Sequence, residues 1–287
     1  MPSVILAGRP VADKISNDVA IKAEDLKKQG ISPKLSTIRV GGKPEDISYE
    51  KSALKRMNLC GIEAEVNILG GEISTEVLLK LIDAKYDDSS IHGILIFQPL
   101  PRHIDAMRIK KSINLLKDVD CIHPQSSAKM YLEDKNALIP ATPGAVMEIL
   151  HYYNIPLQGS DVAVLGRSMV VGKPLSMMLL NENATVTICH SRTKNIAEIC
   201  KRADIIISCI GREGFVTEEF VQSHSVIIDV GINLNTDGKI CGDVAYDRVE
   251  PMVYALTPVP KGVGAVTTSV LARNIVCAAQ HLNAVIC

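Results

Sequence analysis

Apolar residues at helical spacing alternate with short continuous apolar runs along most of the chain. One helical stripe consists of Val11, Ile15, Val19, Ala23 and Leu26, with Gly30 as the residue that ends the helix. Downstream, the pattern predicts strands at 34–40, 62–69 and 91–97 and helices at 45–60 and 75–86. Such alternation is typical of α/β proteins, in which helices cover parallel sheets.

The second half of the chain continues this alternation. It predicts a helix from Thr142 to about Tyr153, strands near 162, 185, 205 and 226, and a last helix at 267–282. Two proline-containing segments, 98–101 and 257–264, interrupt the pattern. Because proline cannot extend a sheet, the first of them leaves its sheet at the carboxyl edge, where open α/β sheets bind ligands.

The segment 161–174 predicts a turn that binds a dinucleotide. Residues 162–165 are the apolar run of a buried parallel strand, Gly166 allows a sharp turn, and a helix begins close to Gly172. The free N–H groups at such a helix start attract phosphate, so Gly166, Arg167, Ser168 and Gly172 are candidate cofactor contacts. The spacing differs from G-x-G-x-x-G, and a purely structural turn is the alternative interpretation.

The end of the next strand indicates which dinucleotide is bound. An NAD site usually places an acidic residue there for the ribose 2′-hydroxyl, whereas a 2′-phosphate requires arginine or hydroxyl donors. Residues 190–193 include Ser191 and Arg192 and no acid, and Arg167 adds a second guanidinium. The sequence therefore favours NADP over NAD.

Composition excludes several other classes of function. With 31 basic and 32 acidic side chains and a net charge of −1, the chain has no field that favours nucleic acid or a membrane surface. Its eight cysteines include no C-x-x-C pair, which indicates neither a disulfide framework nor a metal site. Without a signal-peptide pattern or an apolar run of membrane-spanning length, we expect a cytoplasmic protein with buried, reduced thiols.

Five phrases together resemble one known family. They are Gly-Arg-Ser-Met-Val-Val-Gly-Lys-Pro at 166–174, Thr-Pro-Val-Pro-Lys-Gly-Val-Gly at 257–264, Lys-Asp-Val-Asp at 117–120, Gly-Asp-Val-Ala at 242–245 and Thr-Pro-Gly at 142–144. Over nearly the full length, the chain resembles the methylenetetrahydrofolate dehydrogenase/cyclohydrolase family of the bacterial FolD type.

The resemblance implies two α/β domains. Residues 1–140 plus 267–287 would form the folate-binding catalytic domain, and residues 141–266 the Rossmann-like NADP domain, which in the family also makes the homodimer contact. Tetrahydrofolate derivatives would be the substrates. Carried over by position, the resemblance assigns catalysis to Tyr49, Asp120 and Gln98, substrate binding to Tyr49, Asp120, Pro260, Gly262 and Gly264, and nicotinamide contacts to Gly211, Gly231 and Ile232.

The folate half departs from the family pattern at the positions that handle protons. The family's lysine, four residues after the tyrosine, falls on Ala53, and its glutamine falls on Phe97, with Gln98 one place later. Lys261 and Ala265 replace a glycine and a proline of the last loop. The cofactor half shows no such departure.

These departures bear on two reactions differently. Hydride transfer from methylenetetrahydrofolate mainly needs the reacting carbons to be held in orientation, whereas hydrolysis of the methenyl product also needs a proton-handling group. We therefore expect an NADP-dependent methylenetetrahydrofolate dehydrogenase with weak or absent cyclohydrolase activity. A fully bifunctional enzyme, a non-catalytic NADP- or folate-binding paralogue and a dehydrogenase for a different small molecule remain as alternatives.

Overall fold

The computed structural model describes residues 3–134 and 136–284. In chain order, its strands and helices are β1 (Val4–Ile5), α1 (Gly8–Lys28), β2 (Lys34–Val40), α2 (Pro44–Leu59), β3 (Glu63–Leu69), α3 (Thr75–Asp87), β4 (Gly93–Ile96), α4 (Ala106–Ser112), α5 (Pro124–Tyr131), α6 (Ala141–Tyr152), β5 (Asp161–Leu165), α7 (Gly172–Asn181), β6 (Thr185–Cys189), α8 (Ile196–Arg202), β7 (Ile205–Ser208), β8 (Val226–Asp229), β9 (Asn233–Leu234), β10 (Ile240–Cys241), α9 (Tyr246–Val249), β11 (Ala255–Leu256) and α10 (Thr267–Leu282).

The chain divides into two compact units. The six-stranded unit contains residues up to 12 and 142–267, and the three-stranded unit contains residues 13–141 and those from 268 onward. The sequence assigned the N-terminal residues to the folate-binding domain, but β1 pairs in parallel with β11 in the six-stranded sheet. A strand of two residues has no periodicity that a sequence pattern could detect.

In the three-stranded unit, a parallel sheet of order β3-β2-β4 lies at the centre. After β2 the chain first forms β3 on one side and then β4 on the other, so the strand order reverses between β2 and β4. A crevice at the carboxyl ends of such strands is where open α/β sheets bind ligands. The core beside this sheet joins β2 and β4 to α3 and α4, through residues such as Ile38, Leu78, Ile96 and Ile109.

The six-stranded unit contains a second parallel sheet, of order β1-β11-β8-β7-β5-β6. Here the order reverses between β5 and β7, because the chain continues from β5 to β6 on one side and to β7 on the other. Strands β5, β7 and β8 are buried almost throughout, as their continuous apolar runs predict. A short antiparallel hairpin, β9–β10, lies outside this sheet.

Some of the predicted helices and strands have the expected bounds, and others differ. The apolar stripe of α1 is buried at all five predicted positions, and the predicted strand 34–40 and last helix 267–282 have the predicted bounds. The predicted strand 91–97 is shorter, at Gly93–Ile96. The helix predicted to begin at Thr142 begins one residue earlier, at Ala141.

Within the described ranges, no helix is long and apolar enough to cross a membrane, and no group of three or more metal-binding side chains is found. The described cysteines are free, and Cys60, Cys121, Cys189 and Cys200 are buried. Cys287, the remaining cysteine of the sequence, lies outside the described residues.

Candidate active site

The turn between β5 and α7 depends on two glycines. Gly166 has a φ of +124°, and a Cβ atom there would lie 2.8 Å from the carbonyl oxygen of Cys209. A Cβ atom on Gly172 would lie 2.3 Å from the carbonyl oxygen of Gly166. Ser168 Oγ accepts a hydrogen bond of 3.0 Å from the N–H of Val171, just before α7 begins. The backbone therefore comes close to itself here in a way that only glycine permits.

The turn after β6 lies at the same sheet edge. Leu165 and Cys189 are register partners in parallel strands, and the N–H of Gly166 donates to the carbonyl oxygen of Cys189 at 2.9 Å. Residues 190–193 form a tight turn, in which the N–H of His190 donates to Thr193 Oγ1 at 2.9 Å. Arg167 follows one strand and Arg192 the other, and both are exposed. The cofactor residues predicted from the glycine turn and those predicted from the end of β6 thus follow two neighbouring strands of one sheet.

Ser191 and Ser168 are exposed in these same two turns. The two turns therefore present two guanidinium groups and two hydroxyl groups, and residues 190–193 contain no carboxylate. Such a donor set fits a phosphate on the adenosine ribose better than a free 2′-hydroxyl.

The loops after β7 and β8 contain the predicted nicotinamide residues. The N–H of Gly211 donates to Asp243 Oδ2 at 3.3 Å, and a Cβ atom on Gly231 would lie 2.2 Å from Asp243 Oδ1. Ile232 is 68 % exposed. One buried carboxylate, which the sequence analysis did not select, thus contacts both loops.

A second buried carboxylate supports the first. Asp229, at the end of β8, accepts hydrogen bonds from the N–H groups of Gly231 at 2.9 Å and Val244 at 2.9 Å. Burial nevertheless raises the pKa of Asp229 to about 6, because the apolar surroundings penalise the charged form more than the hydrogen bonds favour it.

The loop at 257–264 keeps a glycine-type backbone without its usual glycine. Lys261 has a φ of +84° and an exposed side chain, and its carbonyl oxygen accepts a 2.8 Å bond from the N–H of Gly8. A Cβ atom on Gly262 would lie 2.4 Å from the carbonyl oxygen of Pro258.

The predicted substrate residues of this loop differ in their surroundings. Pro260 is exposed, and Gly262 is buried. A Cβ atom on Gly264 would lie 3.9 Å from Ile232 Cδ1, so one substrate candidate and one cofactor candidate are neighbours. The N–H of Ala265 donates to the carbonyl oxygen of Gly262 at 3.0 Å, a bond that the family's proline could not make.

In the three-stranded unit, Tyr49 and Phe97 lie together. Their rings make an edge-to-face contact, with centroids 6.1 Å apart and an interplanar angle of 79°. Ala53, one turn further along α2, is fully buried. Lys51 and Lys55 on the same helix are exposed. An aromatic ring and a methyl group thus occupy the positions at which the resemblance places an amide and an ammonium group.

Gln98 has an unusual environment for a loop residue. The side chain is half-buried, and its Nε2 atom is buried with no hydrogen-bond partner among the described residues. A buried amide donor without a partner is rare in folded proteins and is typical of an atom that binds a ligand or water. The carbonyl oxygen of the next residue, Pro99, accepts a hydrogen bond of 2.8 Å from Lys43 Nζ.

The 117–120 motif contains three charged residues, which differ in how many hydrogen bonds they make within the described part of the chain. Lys117 Nζ donates to three carbonyl oxygens at the end of α3. Asp118 accepts bonds from two backbone N–H groups and from Ser126 Oγ. Within the described part of the chain, Asp120 accepts one, from the N–H of Ala141 at 3.2 Å.

The environment of Asp120 suits a group that binds a donor-rich ligand. Burial, together with the neighbouring Asp118 carboxylate, raises the pKa of Asp120 to about 6. Asn274 on α10 donates to the carbonyl oxygens of Val119 at 2.8 Å and Ile139 at 2.7 Å, and so ties together the two segments that flank Asp120 and its N–H donor.

The sequence analysis also missed a buried ion pair beside Tyr49. Arg39 Nε lies 3.2 Å from Glu50 Oε2, both side chains are 7 % exposed, and Thr37 Oγ1 donates to Glu50 Oε1 at 3.1 Å. A charged residue between two apolar positions of a predicted strand, Arg39 between Ile38 and Val40, was the available signal. Glu50 precedes Ala53 by three positions, so both lie on one face of α2.

Two family models match this chain. Residues 6–120 match the catalytic domain of tetrahydrofolate dehydrogenase/cyclohydrolase, and residues 140–283 match its NAD(P)-binding domain. The chain belongs to the tetrahydrofolate dehydrogenase/cyclohydrolase family. This confirms the resemblance, the two-domain α/β fold and the presence of a domain for a nicotinamide dinucleotide.

Relatives and solved structures agree over nearly the whole chain. The chain is 50% identical over 279 residues to the bifunctional protein FolD of Clostridioides difficile, covering 97% of each. It matches the structure of the bifunctional enzyme FolD from Campylobacter jejuni at a TM-score of 0.94 and 38% identity, covering 97% of this chain and 99% of that one. The Trypanosoma brucei enzyme, complexed with NADP cofactor and inhibitor, matches at 0.93 and 32%, covering 98% of each chain.

Proposed function

We propose that this family member is an NADP-dependent methylenetetrahydrofolate dehydrogenase in which cyclohydrolase activity is weak or absent. The observation that supports the loss of hydrolysis is the environment of Tyr49. The Phe97 ring packs against Tyr49, and position 53, one turn further along α2, carries a buried methyl group; neither of these two side chains can take up or release a proton.

The residues of the six-stranded unit fit NADP. Gly166 and Gly172 create a turn close enough for a pyrophosphate, and Ser168 lies in the same turn. Arg167, Ser191 and Arg192 supply donors for a 2′-phosphate without a competing carboxylate. Bound NADP would supply a nicotinamide ring that accepts a hydride, beside Gly211, Gly231 and Ile232.

Each unit has its own candidate substrate-binding residues. In the three-stranded unit, the Asp120 carboxylate would accept the donors of the pterin ring, Tyr49 would pack beside the folate, and Gln98 Nε2 would donate a hydrogen bond to it. The candidate substrate-binding residues of the six-stranded unit are Pro260, Gly262 and Gly264. Among the described residues, Gln98 Nε2 has no hydrogen-bond partner and Asp120 accepts a single bond, which supports the roles of Gln98 and Asp120.

The two reactions depend on these groups to different degrees. Oxidation moves a hydride and requires no protein acid or base, so binding in the right orientation suffices. Attack of water on the methenyl carbon must be accompanied by loss of a proton, and a positioned acid–base group contributes about 10²- to 10⁴-fold to such a step. The substitutions at 53 and 97 therefore reduce hydrolysis more than oxidation.

A fully bifunctional enzyme is the alternative that specific observations favour. The curated relatives at about half identity are named as bifunctional proteins. In addition, Lys43 Nζ is bound to the Pro99 carbonyl oxygen, next to Gln98, and is an ammonium group near the carboxyl end of β4.

Paired assays on purified protein distinguish these two functions. We expect oxidation of methylenetetrahydrofolate with NADP, slower oxidation with NAD, and hydrolysis of methenyltetrahydrofolate at least about 100-fold slower than oxidation. Arg192→Ala should reduce the preference for NADP over NAD. Hydrolysis at a rate comparable to oxidation would contradict the proposal. If Lys43→Met then abolished this hydrolysis, the Lys43 ammonium group would be identified as the group that supports it.

We also propose that the six-stranded unit pairs with a second copy of the chain. On the β9–β10 hairpin, Leu234 is 70 % and Ile240 48 % exposed, and such apolar side chains are typical of a protein interface. Sedimentation should give a dimer for the wild-type chain and a shift toward monomer for Leu234→Asp. A wild-type monomer at micromolar concentration would refute this proposal.

A further inference from the structure

The Asp243 carboxylate is buried and accepts five hydrogen bonds from several segments of the chain. Oδ2 accepts from the N–H of Ile210 at 2.9 Å, the N–H of Gly211 at 3.3 Å and Ser208 Oγ at 2.9 Å. Oδ1 accepts from the N–H of Arg212 at 2.8 Å and from Asn233 Nδ2 at 3.0 Å. The donors come from the end of β7, the loop after it and the first residue of β9, which follows the loop after β8.

The backbone of Asp243 is itself fixed by Asp229. Asp229 Oδ1 accepts the N–H of Asp243 at 3.1 Å, and Oδ2 accepts the N–H of Val244 at 2.9 Å. Gly242 is required for this approach, because a Cβ atom there would lie 1.9 Å from Asp229 Oδ2. Gly231 likewise allows its backbone to lie close to the Asp243 carboxylate. The two carboxylates thus link three segments that are distant in sequence.

We propose that Asp243 is a positioning residue for the cofactor, which fixes the backbone of the two loops that receive the nicotinamide end of NADP. The proposal rests on the proposed function, since it takes Gly211, Gly231 and Ile232 as the nicotinamide contacts. Asp243 itself uses all the N–H groups of 210–212, so these cannot bind a phosphate. The carbonyl oxygens of the loop remain for a donor such as the nicotinamide carboxamide.

A carboxylate is the acceptor that this arrangement requires. All five groups around Asp243 are donors, and asparagine would place an NH₂ group against some of them. Hydrogen bonds to a charged group are about twice as strong as those between neutral groups. Asp243→Asn should therefore loosen the two loops while leaving the turn at 190–193 intact.

Two ligands of the folded protein test this separation. NADP contacts both ends of the cofactor site, whereas 2′,5′-ADP contains only the adenosine part and its 2′-phosphate. By titration calorimetry, we expect Asp243→Asn to weaken NADP binding at least about 10-fold and to leave 2′,5′-ADP binding unchanged. In turnover, KM for NADP should rise while KM for methylenetetrahydrofolate stays constant.

Milder variants keep the proposal testable if Asp243→Asn does not fold. Ser208→Ala removes one buried donor to Asp243, and we expect a smaller weakening of NADP binding, about 3- to 5-fold, with 2′,5′-ADP again unaffected. Ser126→Ala is the matched control, because Ser126 Oγ donates to another buried carboxylate, Asp118. It should leave the affinity for NADP unchanged.

The outcomes separate clearly. Unchanged NADP affinity in folded Asp243→Asn and Ser208→Ala would overturn the positioning role, and so would an equal loss of NADP and 2′,5′-ADP, since the carboxylate would then support the unit as a whole. If the wild-type protein bound neither ligand, the proposed function would fail and this inference with it. Selective loss of NADP binding supports the inference.

Discussion

The two units build their candidate sites from different parts of the polypeptide. In the six-stranded unit, glycines, backbone N–H groups and buried carboxylates define the turns, and side chains contribute mainly the donors at Arg167, Ser191 and Arg192. In the three-stranded unit, the proposed chemistry depends on single side chains such as those at 53 and 97. A site made of backbone resists change, because altering it disturbs the fold. A site made of side chains can lose one activity while the fold stays the same.

The largest effect should come from breaking the backbone site. Gly166→Ala adds a Cβ atom 2.8 Å from the Cys209 carbonyl oxygen at a φ of +124°. Strain and overpacking of roughly 4 kcal/mol together should weaken NADP binding by about 10³-fold, as measured by calorimetry. Gly159→Ala is the matched control, since Gly159 has a φ of +78° but open space around it. If both variants bind NADP like the wild type, the glycine turn is not the cofactor site.

The second prediction restores the side-chain site. Ala53→Lys combined with Phe97→Gln should raise hydrolysis of methenyltetrahydrofolate by about 10²-fold, the contribution of a positioned acid–base group. Ala53→Lys alone should give less, because the Phe97 ring cannot accept a hydrogen bond from the new ammonium group as the side chain of a glutamine could. Ser52→Lys adds the same charge at an exposed neighbouring position and should have no effect. Equal activity in all three variants would show that position 53 does not limit hydrolysis.

The third prediction concerns pH. Burial raises the pKa of Asp120 to about 6. Below about pH 6, this carboxyl group is therefore mostly protonated in the folded protein. Only the ionised form can accept two donors from a pterin ring, so KM for the folate should rise by about tenfold per pH unit as the pH falls below about 6. Asp120→Asn should bind more weakly and show a flat profile over the same range. A wild-type profile as flat as that of the variant would exclude Asp120 from substrate binding.

The smallest effect should come from the loop at 257–264. Lys261 has a φ of +84°, a conformation that glycine adopts without strain. Lys261→Gly should therefore stabilise the protein by about 0.5–1 kcal/mol, an increase in Tm of roughly 1–2 °C. Lys261→Ala keeps the strain and should not stabilise. A lower Tm for Lys261→Gly would show that the lysine side chain makes a contribution that exceeds the strain.

Much of the fold could be predicted from local pattern. The stripe of α1, the apolar strand β5 and the glycine turn after it all have signals that lie within a few residues of one another. The elements that the sequence missed, such as β1, β11 and the β9–β10 hairpin, have two residues per strand. They are strands only because other segments pair with them, which no local pattern can show.

The sequence by itself determined the family, the alternation of helix and strand, the donor set that favours NADP and the substitutions at 53 and 97. These follow from residue identity at fixed spacing. Only the tertiary structure decided that Phe97 packs against Tyr49, that Gln98 Nε2 has no partner among the described residues and that Asp243 joins the loops after β7 and β8. The physical reason is that burial and hydrogen bonding depend on which distant segments meet, and the pKa of Asp120 and the role of Asp243 depend on both.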